Sequence, residues 1–267
     1  MCLILIGCQV HPAYPLVIAA NRDEYFTRPA ARAGFWRDYP AVLAGRDLQA
    51  GGTWLGIDAS GRVAAVTNYH EPSRRGAGTA VRSRGFLVRD YLTGGGSARD
   101  YMGRLARDLD AYDGFNLVAG DAQALWFIST YLARPRQINP GIHGISNGDL
   151  DHPWPKVLLG KARFTRLLEG AHDLDEAALF ALLADRSVPE LPADAPAGMD
   201  RDTQRLLAPI FVHGKEYGTR CSTVVWWRRD GKVRFVEKRF DAAGKEAGKA
   251  GFEFTAASDP DFPRSVI

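Results

Sequence analysis

Met1-Cys2-Leu3-Ile4-Leu5-Ile6-Gly7 opens the chain: a cysteine at position two, then an apolar run with no polar break. Such a short run, closed by His11, Pro12 and Pro15, reads as a buried β-strand rather than a helix. Initiator Met is generally removed when the next residue is small, as Cys is, so the mature chain is expected to begin at Cys2. That residue would then carry a free α-amine, titrating near ~8, beside a thiol titrating near ~8.5 when unperturbed. A nucleophile whose base is its own amino group is the N-terminal form of the nucleophile–base pair, here held on a rigid strand. An ordinary start residue on a core strand is the alternative reading of Cys2.

A second strand, Leu16–Ala20, follows the turn and leads into Asn21-Arg22-Asp23-Glu24. Four adjacent polar residues after an apolar strand require partners if they are buried. Residues 27–40 mix Arg, Pro and aromatics and read as irregular. Thr53–Asp58 and Arg62–Asn68 form a predicted hairpin, as do Phe115–Gly120 with Ala124–Thr130, and Thr219–Trp227 with Lys232–Arg239. Gly141–Ser146 is a further predicted strand and Phe252–Phe254 an edge strand. Helical spacing predicts Ser83–Leu92, Ser97–Leu109, Lys156–Leu168 and Leu174–Leu183, with Ser97 and either Asp173 or Asp175 as N-caps. Runs of hairpins alternating with helix pairs predict an α+β fold: two stacked antiparallel sheets between outer helices, a four-layer α-β-β-α sandwich. The 267 residues read as a single domain, 1–267, with a Pro-rich loop at about 188–199.

Composition excludes several classes. The net charge of +3, with arginines scattered among acids, argues against a nucleic-acid partner. Cys2, Cys8 and Cys221 are too few and too far apart for a disulfide framework, which fits a reducing compartment. Without a basic leader or a long apolar run, the chain is expected to be cytoplasmic, with no membrane span. No Cys/His spacing suits zinc, no haem-attachment motif occurs, and no phosphate-binding or dinucleotide fingerprint is present, so no metal is expected. Arg74, Arg75, Arg82 and Arg84 either meet phosphates of a ligand such as coenzyme A or form a solvated basic loop.

Cys2 together with Asn21-Arg22-Asp23-Glu24 resembles the NRDE family, also called the transport and Golgi organisation family, over most of the chain. More distantly it resembles the N-terminal-nucleophile hydrolases, in the branch of bile-salt hydrolase, penicillin V acylase and acyl-CoA-dependent penicillin acyltransferase. The resemblance implies that Cys2 is the nucleophile, that Arg22 lowers the thiol pKa, and that Asp23 holds the α-amine. The Arg22–Asp23 spacing is shorter than in the bile-salt enzymes. Asn68 matches the oxyanion-hole asparagine, Asn147 a second site asparagine, and Arg220 the late arginine.

The chemistry suits these residue types. A cation favours the thiolate, a carboxylate orients an amine, and an asparagine amide donates to a developing oxyanion. Each also has a plain alternative: an Arg22–Asp23 structural ion pair, asparagines serving turns, and a solvated Arg220. Two functions follow from the resemblance. One is a cysteine hydrolase or acyltransferase acting on an amide or thioester, with no cofactor required. The other is a carrier in haem trafficking or acyl-CoA and lipid metabolism that uses the same cleft. The full residue set favours the first, and the family's biology favours the second.

Overall fold

The computed structural model describes residues 2–69, 82–169, 173–191, 199–256 and 265–266. In chain order the strands are β1 (Leu3–Cys8), β2 (Leu16–Tyr25), β3 (Ala30–Phe35), β4 (Val42–Asp47), β5 (Leu55–Asp58) and β6 (Val63–Asn68). Helices α1 (Gly85–Thr93) and α2 (Ala98–Leu105) follow, then β7 (Phe115–Gly120), β8 (Leu125–Ser129), β9 (Arg136–Gln137) and β10 (Gly141–Ile145). Helices α3 (Pro155–Glu169), α4 (Glu176–Leu183) and α5 (Arg201–Leu207) lead to β11 (Tyr217–Trp227), β12 (Lys232–Phe240), β13 (Glu246–Thr255) and β14 (Ser265–Val266).

The strands form two seven-stranded sheets, ordered β10-β1-β2-β11-β12-β13-β14 and β3-β4-β5-β6-β7-β8-β9. Every pairing between these strands is antiparallel. Strand β1 explains why both faces must be covered. Ile4 and Ile6 enter the layer between the sheets, with Ile57, Val118 and Phe127 from the second sheet. Leu3 and Leu5 point outward onto Val157, Phe164 and Leu168 of α3. A strand buried on both faces reads as a continuous apolar run rather than an alternating one. On the far side, Leu87, Val88 and Met102 of α1 and α2 cover Ala64, Val66 and Leu117. The expected four layers are therefore present.

Local chemistry sets the element ends as anticipated in several places. The Ser97 hydroxyl accepts the Asp100 N–H at 3.1 Å, and Asp175 caps α4 through the Ala177 N–H at 2.8 Å. Gly231 takes φ +85° in the turn between β11 and β12, a conformation that favours glycine.

Four expectations require correction. Asn21-Arg22-Asp23-Glu24 does not follow β2 but completes it, because β11 pairs with its backbone through Tyr25, while β1 pairs with it only at Asn21. Residues 30–35, expected to be irregular, form β3, whose backbone pairs with β4 through a register shift between Ala31 and Gly34. Neither β4 nor α5 was anticipated. Phe252–Phe254 belongs to a ten-residue strand, β13, which itself pairs with β14. The Pro-rich positions 192–198 and the loop bearing Arg74 and Arg75 lie outside the described residues.

Candidate active site at the Cys2 strand end

Cys2 immediately precedes β1 and its side chain is half-buried. Leu3 pairs with Asn21, so Arg22 and Asp23 fall beside Cys2 at the same end of the sheet. Alternation then sends neighbouring side chains to opposite faces. Asn21 turns to the helix side, where its Nδ2 donates to the Leu183 and Ile210 carbonyls and its Oδ1 accepts from Ser222 at 2.6 Å. Its role is structural. Arg22 lies in the cleft between the sheets with Cys2, Cys221 and Glu237.

Asp23 is fully buried and held from several directions. Its Oδ1 accepts the Thr219 hydroxyl at 2.7 Å, and its Oδ2 lies 3.5 Å from the Lys156 ammonium. Its carbonyl accepts the Tyr217 hydroxyl at 3.0 Å, and its backbone N–H donates to the Cys2 sulfur. None of Lys156, Thr219 and Tyr217 was singled out from the sequence. Lys156 occupies an expected helix, but a single lysine on an apolar stripe carries no signal of what it reaches.

The Cys2 thiol is pushed above its ordinary value by burial. The Asp23 charge adds to that rise, and the Asp23 N–H and Arg22 pull it back. Arg22 is the smallest of these influences. It also faces Glu24, with Nη2 3.5 Å from the carboxylate, which divides its charge between two partners. A thiol in these surroundings needs a base at hand to ionise, and a free Cys2 amine would be one.

The two asparagines occupy different places. Asn68 ends β6, is exposed, and lines the cleft with Cys2. Asn147 is buried just beyond β10, and its side-chain amide lies 3.2 Å from the Ser146 hydroxyl. The same hydroxyl lies 2.9 Å from the Cys2 carbonyl oxygen, to which it donates. Asn147 therefore reaches the nucleophile residue through Ser146, and its own side chain does not line the cleft wall around Cys2. A polar staple extends from there across the sheets. The Thr67 hydroxyl donates to the Ser146 carbonyl at 2.6 Å, and Asn116 Nδ2 donates to the Gly148 carbonyl at 2.8 Å. It fixes the ends of β6, β7 and β10 around Cys2.

Arg220 is placed by an irregularity. The β2–β11 register shifts between Thr219 and Cys221, inserting Arg220 as an extra residue. Its Nη1 donates to the carbonyls of Tyr25, Phe26 and Arg28, at 2.8, 3.2 and 3.0 Å. Arg220 thus clamps the chain as it leaves β2 while bordering the cleft. Arg84, one of the basic-loop residues, turns into the cleft and donates to the Gly114 carbonyl at 3.1 Å; Arg82 instead pairs with Asp90 at 3.2 Å. Arg239 completes a cationic wall. Burial disfavours the charge on both Arg84 and Arg220. Across the cleft, burial raises the Glu237 carboxyl, and it raises the Cys221 thiol well above its usual range. Cys221 is therefore an inert companion. Among the described residues no group of three His, Cys, Asp or Glu could hold a metal ion. No helix there is long and apolar enough to cross a membrane.

Two stacked antiparallel sheets flanked by helices, with a cysteine entering a central strand, make this an N-terminal-nucleophile hydrolase-like fold. It is similar to the Caenorhabditis elegans N-acylethanolamine-hydrolyzing acid amidase ortholog, with a TM-score of 0.50 and 10% identity over 83% of this chain and 91% of that one. It is likewise similar to a mutant conjugated bile acid hydrolase from Clostridium perfringens, with a TM-score of 0.54 and 8% identity over 100% and 96% of the two chains. At such identities the likeness is one of fold. The chain belongs to the Transport and Golgi organisation 2 family, whose sequence profile matches residues 1–242. It is 38% identical over 258 residues to the Transport and Golgi organization protein 2 homolog of Bos taurus and 34% identical to that of Homo sapiens, covering 89% of this chain and 92% of each relative. The Drosophila melanogaster protein is 30% identical over 268 residues, with the same coverage.

Proposed function

We propose that the protein is an N-terminal-nucleophile cysteine hydrolase or acyltransferase acting on a small amide or thioester. The observation that carries this is the setting of Cys2: the Asp23 N–H on its sulfur and an open cleft before it. With Met1 removed, the Cys2 amine takes the thiol proton and the thiolate attacks the substrate carbonyl carbon. The oxyanion forms in the cleft, where the Asn68 amide borders the same space as Cys2. As the tetrahedral species collapses, the carbonyl bond to nitrogen or sulfur breaks and the ammonium returns its proton to the leaving group. A thioester on Cys2 remains. Water or an acceptor then attacks it, with the amine again as base, and the thiol is restored.

The cleft also suggests what the substrate carries. Arg84, Arg220 and Arg239 border it, and none is ion-paired with a carboxylate among the described residues. Partly buried guanidinium groups with no direct ion pair favour a ligand with carboxylate or phosphate groups. One observation favours a second reading. Burial leaves the thiol above its ordinary value, and a carrier of an anionic ligand such as haem or acyl-CoA would use this cleft without a thiolate.

Intact mass spectrometry of protein incubated with acyl amides and thioesters separates the two. The hydrolase reading expects Met1 to be absent and one acyl group to add to the parent, with none on Cys2→Ala, which still permits Met removal. A parent that never acquires an adduct, yet binds haem or acyl-CoA as well as Cys2→Ala does, would replace it with the carrier.

A further inference from the structure

The arginines that line the cleft differ in what holds them. Arg22, Arg28 and Arg46 are ion-paired, with Glu24, Asp47 and Asp38. Arg84 and Arg220 donate to backbone carbonyls. Arg239 has neither an ion pair nor a hydrogen bond among the described residues. Glu237 stands two residues earlier and so on the same face of β12. It is held by the second sheet instead: its Oε1 accepts the Ala33 N–H at 2.8 Å, and Arg239 acts on it only at a distance.

The backbone makes a place for the Arg239 side chain. The β12–β13 register shifts between Arg239 and Phe240, so Ala247 is an extra residue next to the Arg239–Gly248 pair. Gly248 takes φ +154°, which residues with a side chain rarely adopt. A Cβ on it would stand 2.7 Å from Arg239 Nη2, which is too close. Gly248 thus leaves the bed in which the guanidinium lies across β13. The other register shift in this sheet inserts Arg220 just before Cys221, and Cys221 is the residue that pairs with Arg239. Both irregularities therefore adjoin one cross-strand row, and each sets an arginine on the cleft wall.

Register also fixes how far this cation stands from the nucleophile. Leu3 pairs with Asn21, which sets Cys2 beside Arg22; Arg22 pairs with Cys221, and Cys221 with Arg239. Cys2, Arg22, Cys221 and Arg239 all line the cleft. Arg239 therefore starts three strand spacings from Cys2, about 14 Å, and its guanidinium reaches further, over β13. Ala31, Trp54, Phe240 and Ala247 add apolar lining to the same cleft.

We propose that Arg239, in its Gly248 bed, is an anion subsite that selects substrates carrying a carboxylate or phosphate about 15 Å from the scissile carbonyl, joined to it by an extended carbon chain. The inference deepens the hydrolase reading and rests on it for the place of that carbonyl at Cys2. A short acyl group ends before Arg239, and a neutral chain end leaves the guanidinium unpaired.

The test measures binding by calorimetry to full-length Cys2→Ala, which cannot form a thioester. The probes are the half-thioester of dodecanedioic acid with N-acetylcysteamine, its methyl ester, its phosphate-ended analogue, and the butanedioic half-thioester. A long anionic probe is expected to bind about tenfold tighter than the methyl ester or the short acid, the effect of one hydrogen bond between charged groups. The tighter of the two long anions identifies the head group. Adding Arg239→Gln, which breaks no bond within the described fold, is expected to abolish the preference. Adding Gly248→Ala, which keeps the charge but crowds the guanidinium, is expected to reduce it. Equal binding of long acid and methyl ester, a preference that survives Arg239→Gln, or failure of every probe to bind overturns the proposal. Should the added variants fail to fold, chain length decides: a short acid that binds as tightly as the long one places the anion near Cys2 and overturns it. Failure of the hydrolase reading shows separately, as absence of an acyl adduct on the parent with the same thioesters.

Discussion

Thr219→Val replaces a buried hydroxyl by a methyl of nearly the same size, on a strand that accepts β-branched residues readily. Two hydrogen bonds end with it. The Thr219 hydroxyl donates to Asp23 Oδ1 at 2.7 Å and accepts the Val212 N–H at 2.9 Å. The first is a bond to a charged acceptor, worth about 1.5–3 kcal/mol. The second leaves a buried backbone donor unpaired, at about 1–3 kcal/mol. The neighbouring bond from Thr219 N–H to the Val212 carbonyl survives, so strand and turn remain joined and the sum falls short of the two maxima. A loss of about 3–5 kcal/mol is expected. At about 2–4 °C per kcal/mol for a chain of this size, the melting temperature should fall by roughly 10 °C. Urea unfolding read by tryptophan fluorescence measures the free-energy change, and Thr219→Ser, which keeps the hydroxyl, is the control, expected to lose about 1 kcal/mol for one methyl. A loss below about 1 kcal/mol in Thr219→Val, with Thr219→Ser no better, would refute the view that Asp23 is anchored through this hydroxyl.

Three further outcomes are expected. Asn68→Ala should slow acyl-enzyme formation about 100-fold, the usual effect of losing one oxyanion donor, while ligand affinity changes little; equal burst rates in parent and variant would remove Asn68 from the mechanism. Arg22→Gln should raise the Cys2 thiol further, seen as slower alkylation near neutral pH, because Arg22 is among the groups that pull it down; unchanged alkylation of a folded variant would confine Arg22 to its pairing with Glu24. Asp151 is pushed up by burial, but hydrogen bonds from His143, Lys161 and the Gly144 N–H outweigh that and bring it to about 2. A carboxyl held below its unfolded value of about 3.9 stabilises the fold above that pH, and the contribution disappears as pH falls toward 2. Asp151→Asn should therefore cost about 1–2 kcal/mol at pH 7, allowing for solvent screening, and the gap to the parent should close below about pH 2.5; a gap that persists there would assign the loss to packing.

Much of this protein is written locally. An apolar run too short for a helix, turn residues at Asp230-Gly231, and a capping residue at Ser97 determine β1, the β11–β12 hairpin and the start of α2 without reference to the rest of the chain. The same is true of the pairing of Cys2 with Asn21-Arg22-Asp23-Glu24, which points to the fold and to one strand end. What the sequence could not show is which residues far apart in the chain meet there. Asn21–Glu24 reads as a polar segment leaving a strand, because polarity normally marks the surface; it remains strand because β11 and α3, contributed some 130 to 200 residues later, provide partners for its buried groups. Arg220 reads as one member of an alternating strand, and only the register shift against β2 turns it onto the carbonyls of Tyr25, Phe26 and Arg28. Asn147 shares a pattern with Asn68, yet its side chain is bound by Ser146 while Asn68 lines the cleft. Lys156 is legible as a helix residue and nothing more, since a lone lysine's partner is set by how closely α3 lies on β1. Strand and helix identity follow from short-range sterics and periodicity; the charges that meet around Cys2 are set by sheet register and helix approach, which are properties of the assembled tertiary structure.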